Sequence, residues 1–234
     1  MKRIVISLGG SVLVPNLESN NIERYVAVLK KIAEKCRIFI VVGGGGEARR
    51  YIGAARSVGI DEATADELGI MVTRLNARLL VGGLGTAAYP RVAENYTEAK
   101  EFAETGKIVV MGGVTPAQTT DAVSAVLAES VGADLLINAT SVNGIYSADP
   151  NKDAGAVRHE RLTSGQLLEI IAHGRLNAGA NTVLDIVAGK VVERSGIPLL
   201  VLDGRDPENL ARAILKGEFV GTIVGDAGSC PLPV

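Results

Sequence analysis

The chain has 234 residues and a formal net charge of −2, and 47% of its residues are apolar but only 3% aromatic. This composition excludes a disordered chain, which would be poor in aliphatic residues and far from charge balance, and it offers no basic stripe for nucleic acid. No apolar run reaches the roughly 20 residues of a membrane span. Because Cys36 and Cys230 are far apart and lack metal-ligand spacing, we expect reduced thiols in a cytoplasmic protein.

Short runs rich in β-branched residues alternate with stretches whose apolar residues recur three and four positions apart, as in residues 22–33. This alternation predicts an α/β protein with a mainly parallel sheet covered by helices on both faces. Such sheets bind ligands at the carboxyl ends of their strands. The predicted strands are Arg3–Leu8, Arg37–Val42, Lys107–Met111, Asp134–Asn138 and Pro198–Leu202.

Two segments of the C-terminal half lack this regularity. Tyr146–His159 is polar and rich in turn residues, which predicts a surface excursion or a hairpin. Gly225–Val234 is short and contains proline, so we expect a frayed tail. The chain shows no linker, repeat or low-complexity segment, which favours a single domain over residues 1–234.

Three of the predicted strands run into glycine clusters, at Gly9–Gly10, Gly43–Gly46 and Gly112–Gly113. Glycine lets the backbone approach a ligand closely, and consecutive N–H groups beside a helix N-terminus can hold phosphate oxygens. Tight turns also need glycine, so one cluster alone would leave both interpretations open. Three clusters at one sheet edge, the last followed by Thr119–Asp121, favour phosphate binding.

Other nucleotide and hydrolytic motifs are missing from the sequence. It has no P-loop, in which GxxxxGK precedes Ser or Thr, and no GxGxxG followed by an acidic residue about 20 positions later. No group of residues suits Ser-His-Asp hydrolysis or a zinc site.

Four segments of the sequence form a recognisable series: VISLGGSVL at Val5–Leu13, VVGGGGEAR at Val41–Arg49, MGGVTPAQTTDAVSAVLAE at Met111–Glu129 and NATSVNGIYSADP at Asn138–Pro150. In order and spacing they resemble the amino acid kinase family, and within it most closely the uridylate kinases of archaeal type. The resemblance extends to about Val224 and implies a three-layer αβα sandwich around a mainly parallel sheet of about eight strands. It also implies an acceptor lobe over about residues 1–130 and an ATP lobe over about 131–225.

The resemblance assigns roles to individual residues. Those expected to bind ATP are Gly9, Gly10, Ser11, Gly45, Arg49, Thr140, Tyr146 and Asp149. Those expected to bind UMP are Gly43, Gly44, Asp66, Val114, Thr115, Pro116, Ala117, Gln118, Thr119, Thr120 and Asp121. Arg49 and Lys190 are expected to be the catalytic cations. For three of the residues named in this paragraph a role without ligand contact stays open: Asp66 as a solvated helix residue, Tyr146 as a packing residue of the hairpin and Lys190 as an exposed lysine.

The chain departs from the family pattern at several positions. Ser7 stands where most members carry a lysine, which leaves the γ-phosphate short of one cation, and archaeal uridylate kinases share this gap. Gly46 also stands where a lysine is common. In the loop that the resemblance implies for the acceptor, residues 114–120, Val114, Ala117 and Gln118 replace the more usual Thr, Gly and His, and further along Asn143 replaces an Asp.

The activity implied by the resemblance is transfer of the γ-phosphate of ATP to UMP, giving UDP and ADP. Mg²⁺ is expected to arrive with ATP without a dedicated protein cage, and the family likeness implies a homo-hexamer. Two alternatives stay open: a kinase of the same fold for another small acidic acceptor, and a non-catalytic nucleotide-binding or metal-storage relative.

Overall fold

A mainly parallel sheet lies at the centre of the computed structural model, which describes residues 1–148, 153, 155–176, 184–226 and 228–234. The strands are β1 (Arg3–Leu8), β2 (Arg37–Val42), β3 (Val109–Met111), β4 (Leu135–Thr140), β5 (Ile145–Tyr146), β6 (Arg158–His159), β7 (Arg161–Leu162), β8 (Leu199–Asp203) and β9 (Gly221–Val224). Among the described residues, seven strands form one sheet in the order β3-β2-β1-β4-β8-β9-β7. Only β8 and β9 pair antiparallel in it, and β5 and β6 form a separate antiparallel pair.

Helices cover both faces of this sheet. They are α1 (Gly10–Leu13), α2 (Ile22–Ala33), α3 (Gly45–Ser57), α4 (Glu62–Leu84), α5 (Tyr96–Ala103), α6 (Thr120–Val131), α7 (Ser164–Leu176), α8 (Ile186–Ser195) and α9 (Pro207–Lys216), with a 3₁₀ turn at Gly85–Ala87. Side chains of α2, α4 and α9 share one core with the sheet, and those of α5, α6, α7 and α8 share the other. The predicted three-layer sandwich is confirmed.

The central strands are buried on both faces, which is why they appear in the sequence as nearly continuous apolar runs. In β1, Ile4, Ile6 and Leu8 point into the core shared with α2 and α4, whereas Val5 points into the core shared with α6. Ser7 follows the same alternation and therefore faces α6, as a buried polar residue between the apolar residues Ile6 and Leu8.

Helices α4, α6 and α8 begin at polar residues whose side chains accept backbone N–H groups of the first turn. These N-cap residues are Asp61, Thr119 and Asp185, respectively. Such caps stabilise a helix start by about 1 kcal/mol. The caps of α6 and α8 also lie in the candidate site described below, so the residues that start these helices belong to the site as well.

The predicted strands are all present, with ends that differ by no more than two residues from those expected. The sheet has seven strands among the described residues where about eight were expected. The segment Tyr146–His159 does form a hairpin, since Tyr146 pairs with Arg158 and Ile145 with His159. None of the helices in the described part of the chain has the length and hydrophobicity that crossing a membrane requires.

The expectation of a frayed C-terminal tail was wrong. The backbone N–H of Val234 donates to the carbonyl oxygen of Ile214 at 3.0 Å, and the Lys2 ammonium group donates to the carbonyl oxygen of Pro231. Leu232 and Val234 pack against the core beside α9. These apolar side chains and backbone hydrogen bonds fix a segment whose proline content alone suggested disorder.

Candidate functional site

The loops that follow the parallel strands lie together at one edge of the sheet. Gly9–Ser11 follows β1, Gly43–Gly46 follows β2, Gly112–Gly113 follows β3 and Thr140 ends β4. Because β3, β2, β1 and β4 are neighbours that run in the same direction, their carboxyl ends share that edge. The predicted clustering of the glycine turns is confirmed.

The first two glycine turns pack backbone against backbone. A Cβ atom built on Gly10 would lie 2.3 Å from the backbone nitrogen of Gly45 and 2.4 Å from the carbonyl oxygen of Gly43. Gly45 itself has a φ of +65°, in the left-handed region that favours glycine. Glycine is therefore required here by the contact between the turns, and no side chain separates the amide groups of one turn from those of the other.

Helix α3 begins at the second glycine turn, so its N-terminus points at the same edge of the sheet. The first N–H groups of a helix have no partner within the helix and favour an anion. Arg49 is exposed in the second turn of α3, and among the described residues no hydrogen bond or ion pair engages its guanidinium group. By contrast, Arg50 pairs with Glu47 at 2.9 Å. Arg49 is thus the cation of α3 that is available to a ligand.

Lys190 is exposed on α8, five residues beyond the cap at Asp185. This spacing puts it roughly 7 Å along the helix axis from the cap. Its neighbours Gly189 and Val191 are buried. The catalytic role assigned to Lys190 stays a prediction.

The predicted acceptor loop, residues 114–120, follows the third glycine turn. Ala117 has a φ of 62° and is the only non-glycine residue with positive φ in the described part of the chain. Its backbone N–H donates to the Oδ2 of Asp66 on α4 at 2.8 Å. Asp66 is half-buried, so the structure brings this predicted ribose-binding residue to the loop. Of the other predicted residues, Thr115, Gln118 and Thr119 are exposed, and Val114, Pro116 and Thr120 are half-buried.

A polar network connects β1, α6 and α8 behind this loop. The Ser7 hydroxyl donates to Oδ1 of Asp121 at 2.9 Å, and the Thr119 hydroxyl donates to Asp185. Burial raises the pKa of Asp121 to about 6, the hydrogen bond from Ser7 opposes that rise, and the nearby negative charge of Asp185 adds to it. Asp121 is therefore a half-buried residue with a raised carboxyl pKa, at the position next to the missing lysine, and none of the cations among the described residues forms an ion pair with it.

Two polar residues of α4 contact the second and third glycine turns. The side-chain amide of Asn76 donates to the carbonyl oxygens of Gly43 and Gly44. The hydroxyl of Thr73 accepts the backbone N–H of Gly113 at 2.7 Å. Sequence reasoning missed both residues, and it also missed Asp185. Thr73 and Asn76 give a weak signal in the sequence, because isolated polar residues in a long helical pattern are usually exposed.

Of the residues predicted to bind ATP, Thr140 ends β4, and its carbonyl oxygen accepts the N–H of Gly204 at 2.8 Å. Tyr146 lies in the hairpin, where its hydroxyl donates to Asn143 Oδ1 at 2.6 Å. Asp149, also predicted to bind ATP, lies outside the described residues. Within the described ranges no group of three or more His, Cys, Asp or Glu side chains is arranged to hold a metal ion.

Comparison with known sequences and structures identifies relatives that agree in their names. The model of the Amino acid kinase family matches residues 2–203. A curated uridylate kinase from Methanoculleus marisnigri is 82% identical over 100% of both chains. The crystal structure of uridylate kinase from Archaeoglobus fulgidus superposes with a TM-score of 0.86 at 44% identity, covering 96% of this chain and 100% of that one. UMP kinase from Bacillus anthracis superposes with a TM-score of 0.80 at 25% identity, covering 97% of each chain. The chain therefore belongs to the amino acid kinase family.

Proposed function

We propose that this chain is a uridylate kinase, which transfers the γ-phosphoryl group of ATP to UMP and releases UDP and ADP. The observation that carries the proposal is the backbone contact between the glycine turns at Gly10 and Gly43–Gly45, beside the N-terminus of α3. This arrangement suits the triphosphate of one nucleotide meeting the single phosphate of another end to end. The relatives named uridylate kinase or UMP kinase support the choice of UMP as acceptor.

The strand order supports a division of the site into two sides. The Asp66–Ala117 contact and the turns after β2 and β3 lie on one side of β1, which suits an acceptor lobe over about residues 1–130. Thr140 and the hairpin follow β4 on the other side, which suits an ATP lobe over about 131–225. The turn after β1, Gly9–Ser11, lies between them, where a transferred phosphoryl group has to pass.

The chemistry needs positioning and charge neutralisation more than a reactive side chain. The phosphate of UMP is already largely dianionic at neutral pH, since its second pKa is about 6, so no general base is required. Unit charges about 4 Å apart repel by roughly 4 kcal/mol at an effective dielectric of 20. Backbone N–H groups of the glycine turns, the N-terminus of α3, Arg49 and Lys190 offset that repulsion in the proposed mechanism. Mg²⁺ bound with ATP supplies further positive charge.

Measuring ADP release with a panel of acceptors tests the proposal. The panel comprises UMP, CMP, AMP, isopentenyl phosphate and N-acetylglutamate, each with ATP and Mg²⁺. We expect the highest kcat/KM with UMP. A preference for another acceptor would identify a kinase of the same fold with a different substrate. Absence of turnover with every acceptor would favour the nucleotide-binding or metal-storage alternative.

The proposal includes a cytoplasmic homo-oligomer, in which the hexamer suggested by the family likeness is the expected form. Support comes from Met71, Leu75 and Leu79 of α4, which lie four residues apart on one helix face and are 62%, 61% and 42% exposed. Contiguous exposed apolar side chains of this kind are typical of protein interfaces. We name these three residues the α4 stripe and propose that it contacts a second copy of the chain.

Light scattering after size-exclusion chromatography tests this assembly. Leu75→Glu places a charge in the α4 stripe and is expected to lower the molar mass of the particle. Leu17→Glu is the matched control, because Leu17 is exposed to a similar degree but lies before α2. An unchanged mass for Leu75→Glu, or an equal loss for both variants, would contradict the proposed contact.

A further inference from the structure

Helix α4 carries two buried polar side chains on one face. Thr73 and Asn76 are 7% and 3% exposed, and residues three positions apart share a helix face. Their neighbours on that side, Val72, Ala77 and Leu80, are buried and apolar. Burying a polar group is unfavourable unless it is hydrogen-bonded, so the partners of Thr73 and Asn76 indicate why they are there.

Asn76 orients the second glycine turn through two carbonyl groups. Its Nδ2 donates to the carbonyl oxygen of Gly43 at 3.0 Å and to that of Gly44 at 3.3 Å. In a trans peptide the C=O of one residue and the N–H of the next point in opposite directions. With both carbonyl groups drawn to α4, the N–H groups of Gly44 and Gly45 point away from this helix, where they are available to an anion.

Thr73 contacts the third glycine turn as a hydrogen-bond acceptor, whereas Asn76 is a donor to the second turn. Its hydroxyl donates to the carbonyl oxygen of Ile70 at 2.6 Å, which fixes the oxygen as an acceptor, and it accepts the N–H of Gly113 at 2.7 Å. The fit is close, since a Cβ atom on Gly112 would lie 2.6 Å from the same oxygen. Gly113 leads directly into the acceptor loop, so the hydroxyl of Thr73 fixes the point at which that loop begins.

We propose that Thr73 and Asn76 are positioning residues, which set the orientation of the two acceptor-side glycine turns through their backbone groups. One accepts an N–H group and the other donates to carbonyl groups, so neither could replace the other. The inference rests on the proposed kinase function, because it assigns both turns to binding of the acceptor and of the transferred phosphoryl group. The simpler alternative is that both residues only stabilise the fold.

Four variants separate these interpretations. Thr73→Val keeps the size of the side chain but removes the hydroxyl, and Thr73→Ser restores it. Asn76→Asp keeps the size but replaces the donor by an acceptor facing two carbonyl groups. Val81→Ala is the matched control, since it removes buried apolar volume one turn further along the same helix, away from both turns. Each variant is assayed for kcat and for KM with UMP and with ATP, together with its thermal unfolding temperature.

We expect Thr73→Val to raise KM for UMP by about tenfold and to leave KM for ATP within about threefold, with Thr73→Ser close to the original protein. Asn76→Asp should lower kcat/KM for both substrates by about tenfold or more, because both use the turn that it holds. Val81→Ala should lose thermal stability without such a change. If Thr73→Val and Asn76→Asp behave like Val81→Ala, the two residues are structural only and the proposal is wrong.

Amide hydrogen exchange provides a readout that does not depend on the substrate. Exchange at Gly113 should speed up in Thr73→Val and return to its original rate in Thr73→Ser. Unchanged exchange would overturn the positioning role even if UMP is the substrate. Conversely, absence of turnover with UMP in the original protein would refute the proposed function. The exchange rate at Gly113 would then still test whether Thr73 fixes this turn. The changes in kcat and KM would be measured with whichever acceptor is turned over.

Discussion

Replacing Asp121 by Asn should make the folded protein more stable at neutral pH, although it removes a residue of the candidate site. Asp121 is half-buried, and its carboxyl group has a pKa of about 6 against an ordinary value of 3.8, which corresponds to about 3 kcal/mol. Because the folded-state pKa is the higher one, the stability from this group is fully present below about pH 4 and is lost as the pH rises through about 6. Asn cannot ionise, and its side-chain oxygen can still accept the hydrogen bond from Ser7.

Urea unfolding of both proteins between about pH 4 and pH 8 measures this effect. The advantage of Asp121→Asn should be small near pH 4 and should approach about 3 kcal/mol above pH 7, which is about 6 to 12 °C in unfolding temperature for a chain of this length. Asp226→Asn is the control, because Asp226 is exposed. A difference that does not change with pH, or a variant that is less stable at pH 8, would refute the reasoning. Lower kcat in the stabilised variant would show that the charge is kept for function.

Three further predictions concern the site. Arg49→Ala and Lys190→Met should each lower kcat with saturating ATP and UMP, whereas the control Arg50→Ala should not. If kcat of both variants stays within about threefold of the original value, the catalytic assignment is wrong, since that change corresponds to less than 1 kcal/mol. Asp66→Asn should raise KM for UMP more than for 2′-deoxy-UMP, because only UMP offers the 2′-hydroxyl; equal losses would restrict Asp66 to holding the loop at Ala117. Ala117→Gly should raise the free energy of unfolding in urea by up to about 1 kcal/mol, because glycine adopts a left-handed φ without strain. The gain is limited because glycine also adds backbone entropy to the unfolded chain. A lower free energy of unfolding would contradict that reasoning.

The sheet could be predicted because its strands are buried on both faces. Such strands are short, nearly continuous runs of Val, Ile and Leu, and β1 and β2 have the predicted bounds. The short strands β7 and β9 were missed, since two to four residues give too little pattern. The C-terminal tail was misjudged for a different reason. Its order depends on contacts with Lys2 and Ile214, which lie far away in the sequence or in another element.

The glycine turns could be located from the sequence, but the reason for their glycines could not. Gly10 was expected to make room for phosphate, whereas its immediate constraint is the backbone of Gly43 and Gly45. In the same way, Ser7 was recognised only as the absence of a lysine. The structure shows it as the hydrogen-bond donor to Asp121. Both corrections depend on which loop or helix lies opposite a residue, and one sequence without that geometry does not contain this information.

Helix α4 shows most clearly how local pattern and function diverge. A surface helix normally buries its apolar residues and exposes its polar ones, yet α4 buries Thr73 and Asn76 and exposes the α4 stripe. Burial of Thr73 and Asn76 is compensated by hydrogen bonds, because the backbones of two glycine turns are their partners. The apolar side chains of the α4 stripe are removed from water only if another surface covers them. Departures from local pattern are expected where a protein functions, and α4 has one on each face: one holds the proposed acceptor site, and the other fits the proposed subunit contact.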